Sequence, residues 1–271
     1  MSAYFSNLDL DRLLGLIREA GSQTMEVYKD LGKVKEKSDA SPVTKADLDS
    51  EEVLIQGLAD TGYSIVAEES GFHDKSSDYC WVVDPLDGTK DFIQETGEFA
   101  VMVGLLLRNQ PVLGMIFAPA LDKLWYAVKG RGSFLVQGGQ KRSLSVSSTS
   151  KLRNYVMVRS RNHFSDTDRE LADRLEIEDF LKLGSVGLKY GTLAEGEADI
   201  SAYTTDSLGL WDCCAPQVVL EEAGGEVYNV EGTAPRYDLE TLKMAKGFVG
   251  TNGKNSSQIV RILKAFRANE S

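Results

Sequence analysis

Near the start of the chain the apolar positions recur at three- and four-residue spacing. Leu10, Leu13, Leu14 and Ile17 share one helical face. Asn7 stands where an N-cap belongs, and Asp9 and Asp11 fall in the first turn, beside the open N–H groups of a helix. A polar, lysine-rich stretch over 32–41 reads as a loop. Thr44 and Asp47 then occupy capping-box positions for a second helix whose buried stripe is Val53, Leu54 and Leu58. Beyond residue 64 the pattern changes to short apolar runs, at 64–67, 80–84, 99–107, 112–118, 123–128 and 133–136. Gly, Pro, Asn and Asp divide them, which predicts strands. Asn109-Gln110 and Gly130-Arg131-Gly132 look like hairpin turns, so this sheet is expected to be largely antiparallel.

In the second half strands and helices alternate. Strands are expected at 155–159, 199–203, 226–230 and 248–250, and helices at 165–175, 186–195, 212–223 and 256–269. Gly224-Gly225 closes the third of these helices. The serine-rich stretch 143–150 marks an expected boundary between an N-terminal α+β lobe, 1–150, and a C-terminal α/β lobe, 151–271, joined in one compact unit.

The chain has 271 residues and a net charge of −11, which leaves no excess of basic side chains to replace the counterions of a nucleic-acid polymer. The same charge repels a phosphate ester unless bound cations reverse the field locally. Three cysteines, Cys80, Cys213 and Cys214, make no disulfide framework and suit a reducing compartment, so a cytoplasmic location is expected. No signal peptide is evident. The longest apolar run, 99–107, falls far short of the roughly 20 residues of a membrane span, so no membrane insertion is expected.

The segment from Trp81 to Phe92 then changes the picture, because an apolar strand ends on two carboxylates, Asp84 and Asp87, three apart around Pro85. Gly88 and Thr89 follow. Another strand ends on Glu68-Glu69. Taken singly, Asp87-Gly88 reads as a turn and Glu68-Glu69 as a solvated loop. Taken together, clustered carboxylates beside a Gly-Thr turn suit Mg²⁺ and a phosphate. Asp47 reads either as a capping acid or as a partner that orients an attacking water with Thr89. Asp212 reads either as an N-cap or as a carboxylate delivered to the same cluster from the second half. Cys213 and Cys214 read as buried filling, His73 as surface. Arg159-Ser160-Arg161-Asn162-His163 offers cations and donors to an anion, or forms a solvated loop.

Ala67-Glu68-Glu69-Ser70, Asp84-Pro-Leu-Asp87-Gly-Thr89 and Trp211-Asp212, in that order, resemble the motifs of the inositol monophosphatase superfamily. Finer features are similar to its 3′(2′),5′-bisphosphate nucleotidases: Asp87-Gly-Thr-Lys90-Asp-Phe-Ile93 with Gly97-Glu98-Phe99, Ser160-Arg161-Asn-His163, and Gly184-Ser185 with Leu188-Lys189. Gly184-Ser-Val-Gly187 is closer to inositol phosphatases, and Cys213-Cys214-Ala215-Pro216 departs from the usual small residues. The resemblance implies a layered αβαβα sandwich with the active site between the lobes. It implies two to three Mg²⁺ ions held by Glu68, Asp84, Asp87, Asp212 and the Leu86 carbonyl, with Thr89 and Asp47 as catalytic residues. It also implies that substrate meets Gly88, Thr89, Ser160, His163, Gly184, Ser185, Lys189 and Asp212. The expected activity is lithium-sensitive, metal-dependent hydrolysis of the 3′-phosphate of adenosine 3′,5′-bisphosphate. Inositol-1-monophosphatase activity, or a broader sugar-phosphate phosphatase, is the alternative; a non-catalytic metal or phosphometabolite-binding protein is the reading from another class. The expected partner is a small phosphorylated metabolite, and members of the superfamily often form homodimers.

Overall fold

The computed structural model describes residues 8–30, 34–36, 42–162 and 166–268. The N-cap expected at Asn7 lies outside them. Asp9 fills that role, accepting from the Arg12 N–H at 3.1 Å, and α1 runs Leu10–Tyr28. Within the stretch expected to be loop, β1 (Lys35–Glu36) pairs antiparallel with β2 (Pro42–Val43). The capping box at Thr44 and Asp47 is formed and opens α2 (Lys45–Leu58). Then follow β3 (Ser64–Ala67), β4 (Gly71–His73), β5 (Tyr79–Asp87), the short α3 (Thr89–Ile93), β6 (Ala100–Leu107), β7 (Gln110–Ala118), β8 (Lys123–Val128), β9 (Ser133–Gln137) and β10 (Gln140–Ser143). The remainder comprises β11 (Val156–Ser160), α4 (Asp166–Arg174), β12 (Asp179–Leu183), α5 (Val186–Ala194), β13 (Ile200–Tyr203), α6 (Cys214–Glu222), β14 (Glu226–Tyr228), β15 (Phe248–Thr251) and α7 (Ser256–Ala268).

The first large sheet has the order β10-β9-β8-β7-β6-β5-β3-β4. It is antiparallel except where β3 runs parallel to β5. The second has the order β12-β11-β13-β15-β14, with β11 parallel to β12 and β13. Both faces of each sheet are covered, which is why the central strands read as continuous apolar runs without alternation. Leu13, Ile17, Leu54 and Leu58 of α1 and α2 pack on Trp81, Val83 and Val103 of the first sheet. Its other face meets α5 and α6 through Met102, Ile116, Trp125, Leu188 and Val218. Those helices also cover the second sheet, where Tyr190 and Leu220 join Val158 and Phe248. Leu171, Ile259 and Leu263 of α4 and α7 close its far side against Met157, Ile200 and Val249. The layers are α, β, α, β, α, as expected.

Two glycines let the middle layer approach. A β-carbon at Gly114 would stand 2.9 Å from the Ala215 Cα, and one at Gly104 would stand 2.8 Å from the Cys214 Cβ. The unusual Cys213-Cys214-Ala215-Pro216 run is thus wholly buried, and Cys214 and Ala215 fit against the first sheet. Burial pushes both thiols far above their ordinary range, which fits filling rather than reactivity.

Candidate active site

β5 carries the site because its pairing with β6 breaks between Asp84 and Asp87. A register break of this kind re-aims side chains that regular pleating would send to opposite faces. Asp84 Oδ1 accepts the Leu86 N–H at 3.0 Å, so the bulge holds its own first carboxylate. The Pro85 carbonyl accepts from Ser50 Oγ of α2 at 2.8 Å. Gly88 follows with φ of +95°, and a β-carbon there would stand 3.0 Å from the Glu98 carbonyl oxygen, so only glycine suits this turn.

Asp212 arrives from the other end of the chain. α6 begins at Cys214, two residues later than the pattern suggested, and Asp212 is not its N-cap. Its Oδ2 instead accepts the Gly209 N–H at 2.7 Å. Asp84, Asp87 and Asp212 each bring one oxygen within 4.8 Å of the others. Glu68 lines the same cleft outside that group. Burial, then the charges of Glu68, Asp87 and Asp212, push the Asp84 carboxyl well above the usual range. Asp212 is raised by burial, then by Asp87 and Glu68. Two buried carboxylates and a half-buried third that repel one another, with oxygen the only donor type, form a group able to hold a hard cation.

Asp47 is the capping acid of α2 and also meets Thr89. Oδ2 accepts the Thr44 N–H and the Thr44 hydroxyl, each at 2.7 Å. Oδ1 faces Thr89 Oγ1 at 3.2 Å. The Thr89 hydroxyl lies equally 3.2 Å from the Leu86 carbonyl oxygen. The helix cap therefore fixes the carboxylate that meets Thr89.

Asp87 is held from the second half of the chain. Ser185 donates its hydroxyl to Asp87 Oδ2, and the Gly187 N–H donates to the same oxygen at 2.7 Å. Ser185 was expected to touch substrate; it is wholly buried and sits behind Asp87, where it also caps α5. Gly187, which the sequence reading did not assign, is explained by the same contact. A side chain there would collide with Met102 and Ile116, and the signal was present in the Gly-Ser-Val-Gly spacing.

The cleft has a volume of about 640 Å³ and includes Gly88, Thr89, Ser160, Gly184, Lys189 and Asp212 in its lining. Lys189 Nζ donates to the Gly184 carbonyl at 2.6 Å and the Ser185 carbonyl at 3.0 Å. Burial pushes its pKa down to about 8, with Asp87 and Asp91 opposing. Arg159, missed as an individual residue, also lines the cleft and pairs with Asp168. Burial lowers its pKa to about 10. Arg161 pairs with Glu98. His163 lies outside the described residues.

The model of the inositol monophosphatase family matches residues 9–269. A 3′(2′),5′-bisphosphate nucleotidase CysQ of Salmonella typhimurium is 32% identical over 247 residues, covering 88% of this chain and 98% of that protein. Among solved structures, the extragenic suppressor protein suhB from Bartonella henselae superposes with a TM-score of 0.82 at 26% identity, over 94% of this chain and 98% of that one. CysQ from Bacteroides thetaiotaomicron gives 0.78 at 26% identity, over 92% and 99%. With its layers, its divided carboxylate site and a family match over nearly its whole length, the chain belongs to the inositol monophosphatase family, a family of phosphatases.

Proposed function

We propose that the chain is a Mg²⁺-dependent phosphomonoester hydrolase whose preferred substrate is a nucleoside 3′,5′-bisphosphate, with adenosine 3′,5′-bisphosphate as the type. The observation that carries the hydrolytic reading is the carboxylate group of Asp84, Asp87 and Asp212 beside the Thr89–Asp47 pair. In this reading those three aspartates, Glu68 and the Leu86 carbonyl hold the ions. Bound there, Mg²⁺ supplies a lowered water pKa and positive charge against the phosphoryl oxygens. Asp47, fixed by its cap, keeps Thr89 oriented to accept a proton from the attacking water and pass it on to the carboxylate. Gly88 leaves room for a phosphate at the turn. Ser185 and Gly187 keep Asp87 aimed inward.

The nucleotide half of the reading is supported by the CysQ relatives, which are named 3′(2′),5′-bisphosphate nucleotidases, and by Lys189 and Arg159, two buried cations in the cleft wall. A cytoplasmic location goes with it, since three buried free thiols suit a reducing compartment. Among the described residues no helix is long and apolar enough to cross a membrane. Inositol 1-phosphate is the second reading, favoured by Gly187 within the Gly-Ser-Val-Gly turn.

Phosphate release from adenosine 3′,5′-bisphosphate, inositol 1-phosphate and fructose 1,6-bisphosphate is the test, each with Mg²⁺, with Mg²⁺ and Li⁺, and with EDTA. The reading expects Mg²⁺-dependent, Li⁺-inhibited release with the nucleotide clearly preferred. Preference for inositol 1-phosphate would promote the second reading. No turnover on any of the three would return the chain to a binding role.

A further inference from the structure

Two carboxylates, Asp91 on α3 and Glu98 after it, face the two residues that follow β11. Arg161 Nε donates to Glu98 Oε2 at 3.0 Å, and its terminal nitrogen pairs with Glu98 Oε1. Asn162 Nδ2 donates to Asp91 Oδ2 at 2.6 Å, while Thr96 Oγ1 donates to Asp91 Oδ1 at 3.3 Å. Arg161 Nε also stands 3.8 Å from Asp91 Oδ1. The Gly184 N–H, at the end of β12, donates to the same Glu98 Oε2 at 2.9 Å. No side chain fits at Gly184: a β-carbon would collide with the Asp91 carboxylate and stand 2.7 Å from the Glu98 carbonyl oxygen. Gly184, whose N–H Glu98 holds in this way, leads straight into Ser185, whose hydroxyl is on Asp87. The Gly184 carbonyl receives Lys189.

We propose that Arg161 and Glu98 form a latch that positions the cleft. Arg161 fixes the Glu98 carboxylate, Glu98 fixes the Gly184 peptide, and Ser185 then presents its hydroxyl to Asp87. The two residues are positioning residues, not catalytic ones, and the inference rests on the reading of Asp87 as a metal ligand. The Arg161 side chain is 41% exposed and that of Glu98 17%. An ion pair this open adds little to global stability, but its bidentate geometry fixes direction. A purely structural pair and a latch therefore differ in what they move.

The test is Mn²⁺ binding to the full chain, followed by the electron paramagnetic resonance signal of the unbound ion. Wild type is compared with Glu98→Ala, Arg161→Gln, Arg161→Lys and Asp87→Asn. Partners outside the ligand shell typically alter metal affinity about 10- to 100-fold, and this pair acts one contact further out. Glu98→Ala and Arg161→Gln should therefore weaken binding about three- to tenfold, with the metal-free melting temperature within about 2 °C of wild type. Arg161→Lys keeps the charge but loses the fork, so it should fall between, and it carries the test if Arg161→Gln does not fold. Wild-type affinity in both single variants would overturn the latch while leaving the metal reading intact. A wild-type chain that does not bind Mn²⁺, or an Asp87→Asn variant that binds it as tightly, would overturn the reading beneath it.

Discussion

Asp84 is buried and Asp212 half-buried where like charges converge, and this has a consequence for stability. Burial first, then neighbouring carboxylates, raise both groups above their unfolded values. A raised folded-state value favours the neutral form, so the contribution is present at low pH and lost as pH rises through the raised values. The metal-free protein should lose melting temperature as pH rises above about 4, the ordinary value of an aspartate. Asp84→Asn and Asp212→Asn should flatten that slope, and a scan of melting temperature against pH in EDTA reads it. Thr89 has a different role. Its hydroxyl meets Asp47 without belonging to the carboxylate group. Thr89→Val should lower kcat by about 100-fold or more while Mn²⁺ binding stays within about twofold of wild type. Equal loss of both would place Thr89 among the ligands.

At the level of elements, β3 and β8 fall where the apolar runs put them, because Gly62, Asp122 and Gly130 bound them closely. β4, β10 and β12 were not legible. Gln140–Ser143 is exposed throughout and Asp179–Leu183 nearly so, so neither shows the burial pattern that marks a strand. Only pairing to β9 and β11 defines them. The capping box was legible because its two residues are three apart. The hold of Ser185 and Gly187 on Asp87 was not, since about 100 positions separate the partners. Asp212 was legible as a candidate, but its helix begins later and the residue is free to face the cleft. Packing between layers makes a prediction of its own. Gly114→Ala would place a β-carbon 2.9 Å from the Ala215 Cα, and overpacking of this kind destabilises by about 1–3 kcal/mol. Urea unfolding should show that loss, whereas Gly15→Ala, with open space around its β-carbon, should be neutral or better.

Across the whole molecule, the site exists only where the two sheets and their shared helix layer meet. β5 brings Asp84 and Asp87, the turn before α6 brings Asp212, and α2 brings Asp47. A chain with net charge −11 has gathered carboxylates at that junction, which bound cations would relieve. An ion that binds only the folded state stabilises it by mass action, so Mg²⁺ should raise the melting temperature and EDTA should reverse the gain. The central claim is that this junction is a metal-dependent phosphatase site acting on a bisphosphate nucleotide. Its most direct test is the initial rate of 3′-phosphate release from adenosine 3′,5′-bisphosphate against Mg²⁺ concentration, in wild type and Asp84→Asn. The account predicts saturable activation in wild type and at least about a 1,000-fold lower rate in the variant. Release that ignores Mg²⁺, or survives in Asp84→Asn, would contradict it.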